Sequence, residues 1–112
     1  PKDFSGVVIP GGWAPDILRR FKPVNKFVSD MFKQGKLIAS ICHGGWVLVS
    51  ADILRGKKAT SFFAIKDDLI NAGAKFIDKE VVVDGNLVTS RNPYDLASFC
   101  KESIKFLKGK KY

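Results

Sequence analysis

LIASICHGGWVLVSA, Leu37 to Ala51, is the stretch on which the reading of this chain turns. Leu37 to Cys42 is an apolar run without alternation, as in a strand buried on both sides of a parallel sheet. His43 and the pair Gly44-Gly45 follow at once, and a helical pattern begins behind them. A strand that bends sharply into a helix presents its turn residue at the sheet edge, over the free N–H groups of the helix N-terminus. Those groups and the helix dipole favour a thiol there as thiolate. Cys42 is therefore the candidate reacting atom, expected to react below the free-thiol pKa of about 8.5.

Outward from this elbow, strands alternate with helices. Gly6 to Pro10 is a β-branched run closed by Gly11-Gly12, hence a strand and a tight loop. Ala14-Pro15-Asp16 opens a helix. Val24 to Gln34 carries Phe27, Val28, Met31 and Phe32 on one face and ends at Gly35. Further helices are expected over Trp46 to Leu54 and Asp67 to Ala72, and a last one from Pro93-Tyr94-Asp95 to about Leu107. Short strands are expected at Ala59 to Phe63 and Phe76-Ile77. Val81 to Val83 and Leu87 to Ser90 flank Asp84-Gly85-Asn86, a hairpin signal. The pattern implies one α/β domain with a mostly parallel sheet covered on two faces. Such sheets bind ligands at the carboxyl ends of their strands. Gly11-Gly12 and Cys42-His43 both end strands, so the two loops should lie side by side.

The 112 residues fit one domain or part of a larger one, and no apolar stretch is long enough to span a bilayer. The formal net charge is +8. Its lysines are scattered among acids, apart from the tail Lys105, Lys108, Lys110 and Lys111, and no stacking aromatics accompany them. This is the pattern of a solvated surface, not of a nucleic-acid or membrane partner. The two cysteines have no metal-ligand spacing, so they are expected to be free thiols in a reducing cytoplasm, with no metal or cofactor.

Thiol catalysis needs a nucleophile, a base and donors for a developing oxyanion. Cys42 supplies the first. His43 is the only histidine of the chain, and so its only ordinary imidazole near neutral pH. The backbone N–H groups of His43 and Gly12 are the candidate oxyanion donors. Gly44 and Gly45 would let helix and substrate approach closely. Trp13 and Trp46 are read as core or rim residues, Trp13 with the alternative of walling the pocket. Cys100, beside Phe99 in the last amphipathic helix, is read as a packing residue protected from reagents.

The segments VVIPGGWAPD, GK-x-IASICHG, SADILRGKKATS, IKDDLINAGA and EVVVDGNLVTSRNPYDL, in this order, resemble the PfpI-type intracellular cysteine peptidases. These belong to the DJ-one/PfpI superfamily, related to class I glutamine amidotransferases. The resemblance implies a flavodoxin-like three-layer α/β/α sandwich, of which this chain matches the C-terminal two thirds, without the N-terminal strand-helix-strand portion. It implies Cys42 as nucleophile, His43 as its dyad partner and Gly12 as the second oxyanion donor. Asp16 falls where the family places a glutamate that orients the histidine of a neighbouring subunit. Asp is shorter by one methylene, about 1.5 Å of reach. Phe62 stands where a tyrosine is frequent.

The function expected first is that of a cysteine-nucleophile hydrolase of the PfpI peptidase type, acting on small peptides or unfolded protein. An alternative keeps the thiolate and changes the substrate, to methylglyoxal or its adducts, as in a glyoxalase or deglycase. A third reading is a redox-sensing or chaperone-like stress protein that oxidises at Cys42. The expected partners are a small peptide or aldehyde-type substrate and either further copies of the chain or a complementing N-terminal chain.

Overall fold

The computed structural model describes residues 4–109. Six strands and five helices follow one another as β1 (Gly6–Ile9), α1 (Ala14–Leu18), α2 (Lys22–Lys33), β2 (Leu37–Ile41), α3 (Gly45–Ser50), β3 (Lys58–Ala59), α4 (Lys66–Asn71), β4 (Lys75–Phe76), β5 (Val81–Asp84), β6 (Leu87–Ser90) and α5 (Leu96–Lys108). Three single 3₁₀ turns connect them, at Cys42–Gly44, Phe63–Ile65 and Pro93–Asp95.

The main sheet has the order β1-β2-β6-β5, with β1, β2 and β6 parallel and β5 antiparallel to β6. A two-stranded parallel pair, β3-β4, lies apart. Alternation along β2 divides the core. Ile38 points into a cluster with Met31, Val47, Leu48 and Leu69, on the side of α2, α3 and α4. Leu37, Ala39 and Ile41 point the other way, to Val88 and to Phe99 of α5. All five residues of β2 are buried, as its unbroken apolar run requires.

The expected hairpin is present: Asp84 pairs with Leu87 across Gly85-Asn86, and Gly85 has φ 60°. The Asn86 amide also donates to the carbonyls of Phe32 and Lys36, at 3.1 and 2.7 Å, tying the hairpin to the α2–β2 loop. Gly35 ends α2 with φ 74°, the left-handed conformation that glycine adopts without strain.

Several expectations need correction. The helix expected to reach Leu54 stops at Ser50, because Asp52 turns left-handed with φ 57° and drops Ile53 and Leu54 into the core. The strand expected over Ala59 to Phe63 is confined to Lys58–Ala59, and the chain beyond it turns at Phe63–Ile65. Cys100 is exposed, not packed. The buried face of α5 carries Phe99 and Ser103, and the residue after Phe99 lies about 100° around the helix. Lys110 and Lys111 of the basic tail lie outside the described residues. Among the described residues no helix is long and apolar enough to cross a membrane.

Candidate active site

Cys42 leaves the carboxyl end of β2 with φ 55°, one of two non-glycine residues with positive φ among those described. A side chain in this sparsely populated region is held there by its surroundings. On one side is Gly11, at the end of β1. A Cβ on Gly11 would stand 2.8 Å from the Cys42 Cβ and 3.3 Å from its Sγ. The two loops thus meet as the parallel sheet requires, and only a glycine lets them. On the other side the Phe62 N–H donates to the Cys42 carbonyl at 3.2 Å.

His43 is half-buried. Its ring lies against Trp46, with centroids 4.9 Å apart, and stacks on Phe62 at 5.1 Å and 29°. Trp46 is itself held, its indole N–H donating to Asp68 at 2.8 Å while the Arg19 guanidinium sits over its ring. An aromatic cradle thus fixes the imidazole, and the sequence reading missed it. Trp46 lies on the helical turn after His43, a signal available in the sequence; Phe62, nineteen positions on, was marked only by the family resemblance.

Gly44 and Gly45 are both buried. A Cβ on Gly44 would come within 2.8 Å of the Ile9 carbonyl oxygen and of the Ser40 Oγ, and one on Gly45 within 3.0 Å of Leu69. They let the turn pack closely on β1 and α4. Trp13 is 82% exposed, so it is not a core residue. Gly12 has φ 73° and open space around it. The Asp16 carboxylate accepts a hydrogen bond from Arg20 at 2.8 Å, on the exposed side of α1.

A second missed residue is Asp95. Its relative exposure is 5%, and Arg91 grips it at two points, Nε to Oδ2 at 2.9 Å and Nη2 to Oδ1 at 3.0 Å. The same guanidinium bonds Asp78 through Nη1 at 3.0 Å. The hydrogen bond from Arg91 holds the Asp95 carboxyl below its ordinary range. Burial pushes the Cys42 thiol above its ordinary value, and the negative charge of Asp95 adds to this. The expectation of a thiol poised below the free value is therefore corrected. The sulfur sits over a 3₁₀ turn and a helix of six residues, and it is partly packed in the apolar cluster of Phe99 and Val88.

This arrangement invites comparison with known proteins. The model of the DJ-1/PfpI family matches residues 1–106. The chain belongs to the DJ-1/PfpI family. Deglycase PH1704 of Pyrococcus horikoshii is 50% identical over 108 residues, 96% of this chain and 65% of that protein. Protein/nucleic acid deglycase 2 of Escherichia coli is 45% identical over 96% of this chain and 63% of its own length. The chain thus spans a little less than two thirds of the length of these DJ-1/PfpI relatives. Among solved DJ-1/PfpI structures, Drosophila melanogaster DJ-1beta superposes with a TM-score of 0.87 at 35% identity, over 96% of this chain and 58% of that one. The α/β architecture and mostly parallel sheet are those of this family. Both of these relatives are enzymes by name, and the names favour the deglycase alternative over the peptidase reading.

Proposed function

We propose that this chain carries the reacting centre of a deglycase, which removes methylglyoxal-type adducts from amino groups by way of Cys42. The observation that carries the reading is the Cys42 elbow, in a chain 45–50% identical to proteins named deglycases. The thiol proton passes through His43 to the amine nitrogen of the carbinolamine adduct, and the sulfur takes the amine's place on the aldehyde-level carbon as the carbon–nitrogen bond breaks. The amine leaves with that proton. The S-bound hydroxyketone isomerises by a proton shift to a thioester, and water hydrolyses this to a hydroxy acid and the free thiol. Oxidation of one substrate carbon is balanced by reduction of its neighbour, so atoms and electrons close on substrate and water alone.

The backbone N–H groups of Gly12 and His43 hold the developing oxyanion. Trp13 walls the pocket. Asp16 of a second copy orients His43, which makes a homo-oligomer the working form. The cytoplasm, as a reducing compartment, keeps the thiol available.

The test sets two substrates side by side, methylglyoxal-treated N-acetyl-lysine and a fluorogenic peptide, with the wild type and Cys42→Ser. Regeneration of free N-acetyl-lysine by the wild type alone supports the deglycase. Peptide cleavage lost in Cys42→Ser, without regeneration, returns the function to the peptidase reading. That reading draws on the Bacillus subtilis relative YraA, provisionally named a cysteine protease.

A further inference from the structure

Three helices meet at Trp46. It stands three positions after His43, one turn along, and the centroids of the two rings lie 4.9 Å apart with their planes at 60°. Its indole N–H donates to the Asp68 carboxylate of α4 at 2.8 Å. The guanidinium of Arg19, at the end of α1, lies over the indole at 5.5 Å from its centroid. Arg19 is tied back to α3, its Nε donating to the Ser50 hydroxyl at 3.0 Å. The approach of α4 is set in the core. Leu69, next to Asp68, is fully buried, and Gly45, next to Trp46, leaves it room: a Cβ there would meet the Leu69 side chain at 3.0 Å. The same close approach carries the Asp68 carboxylate to the indole.

Among the described residues, no hydrogen bond holds a ring nitrogen of His43. Within the chain, the ring is placed by its two aromatic neighbours. Phe62 is anchored through its backbone, by the hydrogen bond to the Cys42 carbonyl. Trp46 is anchored through its side chain. A side chain chooses among several staggered rotamers, and the hydrogen bond to Asp68 favours the one that faces His43. The acceptor is a carboxylate, which makes the bond one of the stronger kind.

We propose that Asp68 is a positioning residue for the reaction: it holds the Trp46 indole against His43, and so keeps the imidazole where it relays the Cys42 proton. This rests on the reading of Cys42 and His43 as the reacting pair. Asp68 acts through the indole, as a hydrogen-bond acceptor. It also stands in the first turn of α4, where a carboxylate favours the helix by its charge. The two roles part on substitution, because asparagine keeps an acceptor oxygen and loses the charge.

The test uses the fact that His43 is the only histidine of the chain. Its ring C–H protons give a single pair of proton NMR signals, displaced by the ring currents of Trp46 and Phe62. Spectra are compared at one pH, and urea midpoints confirm folding of each variant. Asp68→Ala should move these signals, and Asp68→Asn should leave them at their wild-type positions. Trp46→Phe keeps an aromatic ring without the N–H, so adding Asp68→Ala to it should move nothing further. On methylglyoxal-treated N-acetyl-lysine, Asp68→Ala should lower kcat about three- to tenfold, the weight of one hydrogen bond, with KM little changed; Asp68→Asn should restore it. Four results overturn the proposal: unmoved signals in Asp68→Ala, equal displacement in Asp68→Asn, further displacement in the Trp46→Phe background, or a kcat in Asp68→Ala equal to that of an active wild type. Should Asp68→Ala fail to fold, Asp68→Ser, also too short to reach the indole, is held to the same outcomes. The NMR comparison needs no substrate. Absence of turnover in every protein, with the expected pattern of signals, would sink the deglycase reading and leave the hold of Asp68 on His43 standing.

Discussion

Two glycines near the elbow face different neighbours. Gly11 faces the nucleophile, and its added Cβ would press on Cys42. Gly44 faces a backbone carbonyl that cannot move aside. Gly11→Ala should lower substrate turnover by about 100-fold, since small displacements of a reacting group cost that much, and should lower the urea midpoint as well, because the Cys42 Cβ cannot swing aside. Gly44→Ala should destabilise the fold by about 1–3 kcal/mol through overpacking, read by urea titration. Cys42 and His43 were legible because strand, thiol, imidazole and glycines are contiguous. Asp95 was not, since it stands fifty-three positions away and reaches the site only through the pairing of β6 with β2. The sequence also suggested a thiolate-favouring elbow; burial beside a carboxylate gives the opposite direction, and both causes are tertiary.

At the scale of elements, most segments read true and two were drawn too long. The buried run of β2, the apolar face of α2 and the Asp84-Gly85-Asn86 hairpin are local patterns strong enough to survive into the fold. Helix α3 ends early because core packing draws Ile53 and Leu54 inward after a left-handed Asp52, against a helical pattern that runs on. The hairpin also does more than its turn signal suggests. The amide of Asn86 bridges two carbonyls of the α2–β2 connection. Asn86→Ala should cost about 1–3 kcal/mol, from two lost hydrogen bonds. Asn86→Asp should not restore it, because a carboxylate cannot donate to carbonyls. Chemical denaturation of the three proteins checks both expectations.

For the whole molecule, the sheet is covered unequally. Val8 of β1 is 60% exposed and Phe4 56%, while the strands at the centre are sealed by helices on both faces. That uneven cover agrees with a chain that spans about 65% of its relatives' length. Global stability should also fall in acid. Asp95 titrates below its ordinary range in the fold, so its contribution is complete above the unfolded value of about 3.9. It is lost as pH falls from there through the lower folded value. Urea unfolding between pH 6 and 3 should show stability rising with pH, more steeply in the wild type than in Asp95→Asn. Parallel curves would place the acid sensitivity elsewhere.

The account rests on the Cys42 sulfur as the atom that meets the carbonyl. Proton NMR of lactate formed from methylglyoxal-treated N-acetyl-lysine tests it most directly, with wild type, Cys100→Ser and Cys42→Ser compared. The account predicts lactate from the first two and none above the enzyme-free rate from Cys42→Ser. Lactate formation by Cys42→Ser at the wild-type rate would contradict it.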